Sequence, residues 1–213
     1  MNFLAHTFLS GDSDEVRIGN FIGDYVKGSD FKLYPEGIRK GIILHRHIDS
    51  YTDSHPVVRQ SIARLMPLYH KYAGVIIDIF YDHFLSVNWD FISSVPLPEL
   101  AEITYRNLHE HYDILPEPIR RVVPSFIFNR WLEAYNTIEG IESVLKKMST
   151  VTTLPDLTLE AIRSLEEHYE EYQSEFFAFF PDIVHYVMRA FDIDLFLADS
   201  FVMEFDEAFR KRG

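Results

Sequence analysis

Residues 72 to 89 read YAGVIIDIFYDHFLSVNW, which sets Asp78, Asp82 and His83 among apolar and small side chains with no Lys or Arg in the segment. A carboxylate carried into a protein interior without a partner costs several kcal/mol or more, so it takes a proton, meets a cation or stays outside. The segment has no cation of its own. Any partner therefore comes from elsewhere in the fold, or is a metal ion.

At helical pitch Asp78 and Asp82 are i and i+4 on one face, with His83 about 100° round the cylinder. The segment HRHIDSYTDSHP repeats the spacing: His45, Asp49 and Asp53 fall on one stripe. His47 points about 200° away from His45 and is expected to face elsewhere. Two helices that each present His and Asp can build a mixed nitrogen and oxygen cage of the kind that suits Mg, Mn, Fe or Zn. Pairing of the carboxylates with Arg46 and Arg59 on a solvated face is the alternative for the second stripe.

The chain has 213 residues and no cysteine. That length supports one sizeable core, so a single domain over residues 1–213 is expected. Disulfides and thiolate metal sites are excluded, and a reducing compartment fits. The N-terminus MNFLAHTFLS lacks a basic leader, and no apolar run reaches the roughly 18 residues of a membrane span. The expectation is a cytoplasmic protein with no membrane partner. A net charge of -13 argues against nucleic acid as a partner. The charge is uneven: residues 1–90 sum to -2 and residues 91–213 to -11. A cation neutralising acids of the first half would leave that surface net basic, which steers an acidic or phosphorylated partner toward it.

Pro and Gly punctuate periodic apolar stretches, and strand-like alternation is hard to find, so an all-α fold is predicted. Helices are expected from about Asp14 to Lys27 with Ser13 or Asp14 as cap, from Pro35 to Thr52, from Pro56 to His70, and through Gly74 to Trp89. Others are expected over residues 98–112, Phe126 to Tyr135, Ile138 to Met148 and Leu159 to Phe180. The prolines of ILPEPIRRVVP are expected to interrupt helix. The long helix from Leu159 should carry its acids on the outer face. After Pro181 an apolar stripe, Val184, Val187, Phe191, Leu195, Ala198, Val202, Phe205 and Phe209, predicts one amphipathic helix facing the core, with a homodimer seam as the alternative.

Four islands combine His or Asp with apolar neighbours: NFLAH, GNFIGDYVKG, ILHRHIDSYTDSHPVVR and DIFYDHFLSVNW. On its own His6 reads more readily as a hydrogen-bonded core histidine than as a ligand, and Asp24 reads as a cap, a partner of Lys27 or Arg17, or a ligand. No Gly-x-Ser-x-Gly nucleophile elbow and no phosphate-cradling glycine loop occurs.

In their order and wording these islands resemble the bacterial acyl carrier protein phosphodiesterase family. The match runs through MNFLAH, GN...GDYVKG, GI..LHR.ID..TD..P.VR and D...YDHFL...W, and its specific part lies within residues 1–90. The resemblance implies an all-helical single-domain bundle like that of the HD-domain metal-dependent phosphohydrolases. It also implies hydrolysis of the phosphodiester between 4'-phosphopantetheine and the serine of holo acyl carrier protein, the expected partner. The implied cofactor is a divalent metal, Mn or Mg, with Fe a further option. HD enzymes are named for a His-Asp doublet, whereas here the doublet is Asp82-His83 and His45 precedes Arg46. By resemblance the metal ligands are drawn from His6, Asp24, His45, Asp49, Asp82 and His83. Asp78 holds or deprotonates the attacking water, Asp24 and the cations Lys27 and Arg46 act in catalysis, and Arg39, Lys40 and Arg59 bind substrate. An HD-like hydrolase of a nucleotide or other small phosphodiester, and a non-catalytic helical module that binds the carrier, are the competing functions.

Overall fold

The computed structural model describes residues 2–211, the side chains of residue 151 and of residues 206–211 excepted. The chain is all helical: α1 (Phe3–Phe8), α2 (Asp14–Phe21), α3 (Glu36–Ser54), α4 (Pro56–Tyr69), α5 (Ala73–Val87), α6 (Trp89–Ile92), α7 (Leu97–Glu110), α8 (Glu117–Phe128), α9 (Trp131–Ala134), α10 (Ile138–Val151), α11 (Thr158–Glu167), α12 (Tyr169–Phe191) and α13 (Asp199–Lys211). Among the described residues, extended pairing is confined to an isolated antiparallel bridge between Ser93 and Leu197. No helix among them is long and apolar enough to cross a membrane.

The helices begin where their residues can satisfy the orphan amides of a first turn. Ser13 accepts from the Val16 amide at the head of α2, and Thr137 from that of Gly140 at the head of α10. Pro56 occupies the first turn of α4, where a missing N–H leaves no bond unmade. Helix α5 is buried along most of its length because α1, α4, α10 and α12 all pack on it. Its Tyr81 and Phe84 meet Phe176 of α12 with ring centroids 5.7 and 6.2 Å apart. Each such ring contributes about 1.5–3 kcal/mol on burial.

Helices α2 and α3 approach backbone to backbone. A Cβ on Gly19 would run into the Ile38 carbonyl, and one on Gly41 into the Val16 carbonyl. This contact sets the distance between the two helices that carry most of the polar cluster described below.

Several expected boundaries change. Helix α2 ends at Phe21, and Gly23–Tyr25 forms a separate 3-10 turn, so the helix does not reach Lys27. The proline-rich segment is helical: Pro118 lies in the first turn of α8, where amides have no intrahelical partner. Pro124 lies inside α8, and the carbonyl of Arg120 one turn back receives the Tyr112 hydroxyl at 3.1 Å. Helix α8 stops at Phe128, and Arg130, with φ 49°, separates it from α9.

The expected Leu159 to Phe180 helix is two helices divided at His168, and the second continues through Pro181 to Phe191. The break falls at Asp192, with φ 52°, so the C-terminal stripe is shared between α12 and α13. Of the stripe, Val184 and Val187 are buried, Phe191, Leu195, Ala198 and Phe205 are half-buried, and Val202 is exposed; on α13 the core position is taken by Phe201, which is not part of the stripe. The side chain of Phe209 lies outside the described residues. Not every acid of α12 faces outward: Glu175 is buried, paired with Arg64 at 2.7 Å and accepting from the Ser61 hydroxyl at 2.5 Å.

Candidate metal centre

His6 comes from α1, Asn20 from α2, Asp24 from the 3-10 turn, and His45 and Asp49 from successive turns of α3. Among the described residues, His6, His45 and Asp49 form a group whose ligand atoms all lie within 4.8 Å of one another. The imidazoles of His6 and His45 stack, with centroids 4.2 Å apart. Asp49 spans them: one carboxylate oxygen lies 3.1 Å from His6 Nε2, the other 3.1 Å from His45 Nε2. Asp24 adds an oxygen 3.3 Å from His45 Nε2.

The other ring nitrogens fix what these Nε2 atoms can do. His45 Nδ1 lies 2.8 Å from the Asn20 carbonyl, which can only accept, so Nδ1 carries the proton. Asn20 Nδ2 donates to the His6 carbonyl and to Ser10 Oγ, which leaves Asn20 Oδ1 to accept from His6 Nδ1 at 2.7 Å. In the neutral form both rings therefore present an Nε2 lone pair to carboxylate oxygens. Lone pairs facing anions repel unless a positive charge stands between them. His45 Nε2 is buried and off the line of a hydrogen bond to either carboxylate, although both are within ion-pair reach. Two neutral imidazoles and the Asp49 carboxylate, with Asp24 beside His45, are a donor set of the kind that suits a divalent cation.

Without such a cation, protons take up the strain. Burial works against charge on His45, but Asp24 and Asp49 outweigh it and raise its pKa to about 9. Burial and the neighbouring His45 push His6 down. Burial raises Asp49, but the two histidines more than reverse this and hold it far below the usual carboxylate range. His45 likewise draws Asp24 down. Gly23 lets the His45 ring lie where it does, because a Cβ there would overlap the imidazole.

The cluster opens into a cavity of about 270 Å³ whose lining includes His6, Asn20, Asp24, His45 and Asp78. Asp78, half-buried on α5, is thus brought to the site. Asp82 and His83 are not. Asp82 is fully buried and accepts backbone amides from Asn2, Leu4 and Ala5 at 3.2, 2.8 and 3.2 Å, at the start of α1. Burial raises its pKa to about 7, against the pull of these amides. His83 lies with Nδ1 2.7 Å from the Tyr135 carbonyl and Nε2 3.0 Å from the Tyr169 hydroxyl. Asp82 thus places the helix that carries His6.

None of the five expected cations lines the cavity. Arg46 donates to the carbonyls of Val26 and Gly28 and stacks on Phe31, clamping the loop behind Asp24. Exposed Lys27 donates to the Asp24 carbonyl. Arg59 donates to the Asp53 carbonyl at 3.0 Å, not to a carboxylate. Lys40 is exposed and Arg39 half-buried on α3. His47 points to Tyr186, as its angle from His45 predicts. Asn20, which lines the cavity and fixes both rings, was not legible as a site residue. For Asn20 the available signal is an amide set inside the apolar run around Gly19 and Phe21.

The family model described as acyl carrier protein phosphodiesterase matches residues 1–183. A protein named acyl carrier protein phosphodiesterase from Enterobacter sp. (strain 638) is 33% identical over 185 residues, covering 85% of this chain and 94% of its own. Proteins of the same name from Yersinia enterocolitica and Salmonella agona are each 31% identical, covering 85% and 89% of this chain and 94% and 98% of their own. No solved structure matches the chain.

Proposed function

Since the chain belongs to the acyl carrier protein phosphodiesterase family, we propose that it hydrolyses the phosphodiester joining 4'-phosphopantetheine to the serine of holo acyl carrier protein, with a divalent cation, Mn or Mg, held by His6, His45, Asp49 and Asp24. The observation that carries the metal-dependent reading is the pair of Nε2 lone pairs that Asn20 turns toward the carboxylates of Asp49 and Asp24. When bound, a divalent cation supplies positive charge against the phosphoryl oxygens and acidifies water.

The chain's own residues do the rest. The rings of His6 and His45 are oriented before any ligand arrives, and His45 becomes a neutral donor when a cation displaces its Nε2 proton. Asp49, half-buried, supplies one oxygen toward each ring. Asp24 is exposed at the cavity edge, and its lowered pKa keeps it anionic. Asp78 lines the same cavity and takes the proton of the attacking water. The water oxygen bonds to phosphorus, the bond from phosphorus to the serine oxygen breaks, the serine oxygen takes a proton from solvent, and Asp78 returns to solvent the proton it accepted.

The implied kinship with HD-domain phosphohydrolases is supported by the use of His and Asp on helices, although here His45 meets its aspartate one turn on, at Asp49. The exposed Lys27, Lys40, Arg59 and Lys71 lie in the near-neutral first half, which suits attraction of an acidic carrier. The test is to incubate holo carrier with the protein and Mn and weigh the carrier. Loss of the arm's mass is expected, abolished by a chelator and by His45→Ala or Asp49→Asn. An unchanged carrier mass with every divalent metal tried defeats the proposal.

A further inference from the structure

The cavity has two unlike parts. Its ionic part is the cluster of His6, Asp24 and His45 with Asp78, whereas the rest of its lining includes Tyr72 and Val75 at the head of α5, Met148 near the end of α10, and Thr152, Thr153 and Leu154 just beyond. None of these six side chains is ionic at neutral pH. Their arrangement is tied down. The Tyr72 hydroxyl donates to Thr153 Oγ1 at 2.9 Å. Thr152 Oγ1 donates to the Met148 carbonyl at 2.8 Å and accepts from the Leu154 amide at 3.1 Å. Tyr69 fastens the same segment farther on, through the Leu157 carbonyl. The cleft is therefore formed before a ligand enters, which lowers the cost of binding.

A phosphodiester held at the ionic part projects two substituents. One is a folded carrier protein, which a cavity of about 270 Å³ excludes. The other is a thin, uncharged chain of branched methyls, amides and a terminal thiol. Resting on the function proposed above, we infer that the uncharged wall of Tyr72, Val75, Met148, Thr153 and Leu154 seats the pantetheine arm. Its apolar side chains face methyls and methylenes, and the hydroxyls of Tyr72 and Thr153 are placed for amides. The wall selects the arm, and the cation cluster serves the phosphate.

The experiment has two arms on the full-length protein. In the first, D-pantetheine, which lacks phosphate, is titrated into protein with labelled methyl groups. Shifts of the Val75, Met148 and Leu154 methyl signals are expected. Shifts confined to other residues, or none at millimolar pantetheine, overturn the inference. In the second arm, Val75→Phe narrows the cleft and is expected to raise KM for holo carrier about tenfold, with a smaller change in kcat and with Mn affinity kept. Met148→Ala, which opens the cleft, is the second variant should Val75→Phe misfold, and a several-fold rise in KM is expected. An unchanged KM in the folded variants overturns the inference while leaving the phosphodiesterase reading intact. Methyl shifts with pantetheine from a wild-type protein that leaves holo carrier whole support the cleft and defeat the reading.

Discussion

The side-chain oxygen of Asn20 accepts the Nδ1 proton of His6 at 2.7 Å. The carbonyl of Asn20 does the same for His45, so one fully buried residue fixes the tautomer of both rings through different atoms. Asn20→Ala removes the first bond and keeps the second. His6 is then expected to show mixed tautomers by ¹⁵N NMR while His45 keeps its Nε2 lone pair, and Mn affinity should fall about 10–100-fold by calorimetry. Unaltered His6 tautomers with unaltered affinity would show that Asn20 has no such role.

Gly23→Ala places a methyl group where the His45 imidazole lies. Either the ring or the turn carrying Asp24 must give way, at about 1–3 kcal/mol of stability. Thermal melts and Mn titrations should show a modest loss of stability with a larger loss of cation affinity. A variant whose affinity matches wild type would mean that the turn moves without disturbing the ligands.

Asp82→Ala leaves the amides of Asn2, Leu4 and Ala5 without their acceptor in the interior. Denaturant unfolding is expected to show a loss of about 3 kcal/mol or more. Asp82→Asn keeps one acceptor oxygen and should fold. Its Mn affinity is expected to fall much less than that of Asp49→Asn, since Asp82 positions α1 and gives no atom to the cluster. Equal losses in the two variants would place Asp82 among the ligands after all.

Cation binding should depend on pH in a set direction. His45 holds its proton up to about pH 9, because Asp24 and Asp49 stabilise the charged ring. A cation that uses His45 Nε2 must displace that proton, so affinity rises as pH rises, about tenfold per unit, and levels above pH 9. Calorimetry in two buffers of different ionisation enthalpy should count about one proton released near pH 7. A flat profile from pH 6.5 to 9 would exclude His45 as a ligand.

The all-helical class and the shared face of His45 and Asp49 were legible because both depend on local spacing, which a helix converts directly into a common side, whereas Asp53, expected on the same stripe, is exposed one turn on and joins neither the cluster nor the cavity lining. Asp82 shows where local spacing stops informing. A buried acid without a basic neighbour has the same pattern in sequence whether its partner is a metal or the first amides of a helix nearly eighty residues away. His83 has the matching ambiguity, resolved by a carbonyl and a hydroxyl from α9's flank and α12. Asn20 was overlooked because it carries no charge, although it organises the charges around it. Pro124 and Pro181, expected to interrupt helix, both lie within helices, where the Tyr112 hydroxyl takes up the carbonyl freed by the first and α12 runs on through the second.

The backbone contact at Gly19 and Gly41 has a consequence for durability. Asn20, Gly23, Asp24, His45 and Asp49 all ride on the two segments joined there, with no rotamer between them to loosen. Fraying of α13 from the far end of the chain would thus be felt as lost stability long before it disturbed the ligand geometry, and a fragment hunt for the smallest cation-binding unit should begin with this interlocked pair and the α1 turn that Asp82 fastens beside it.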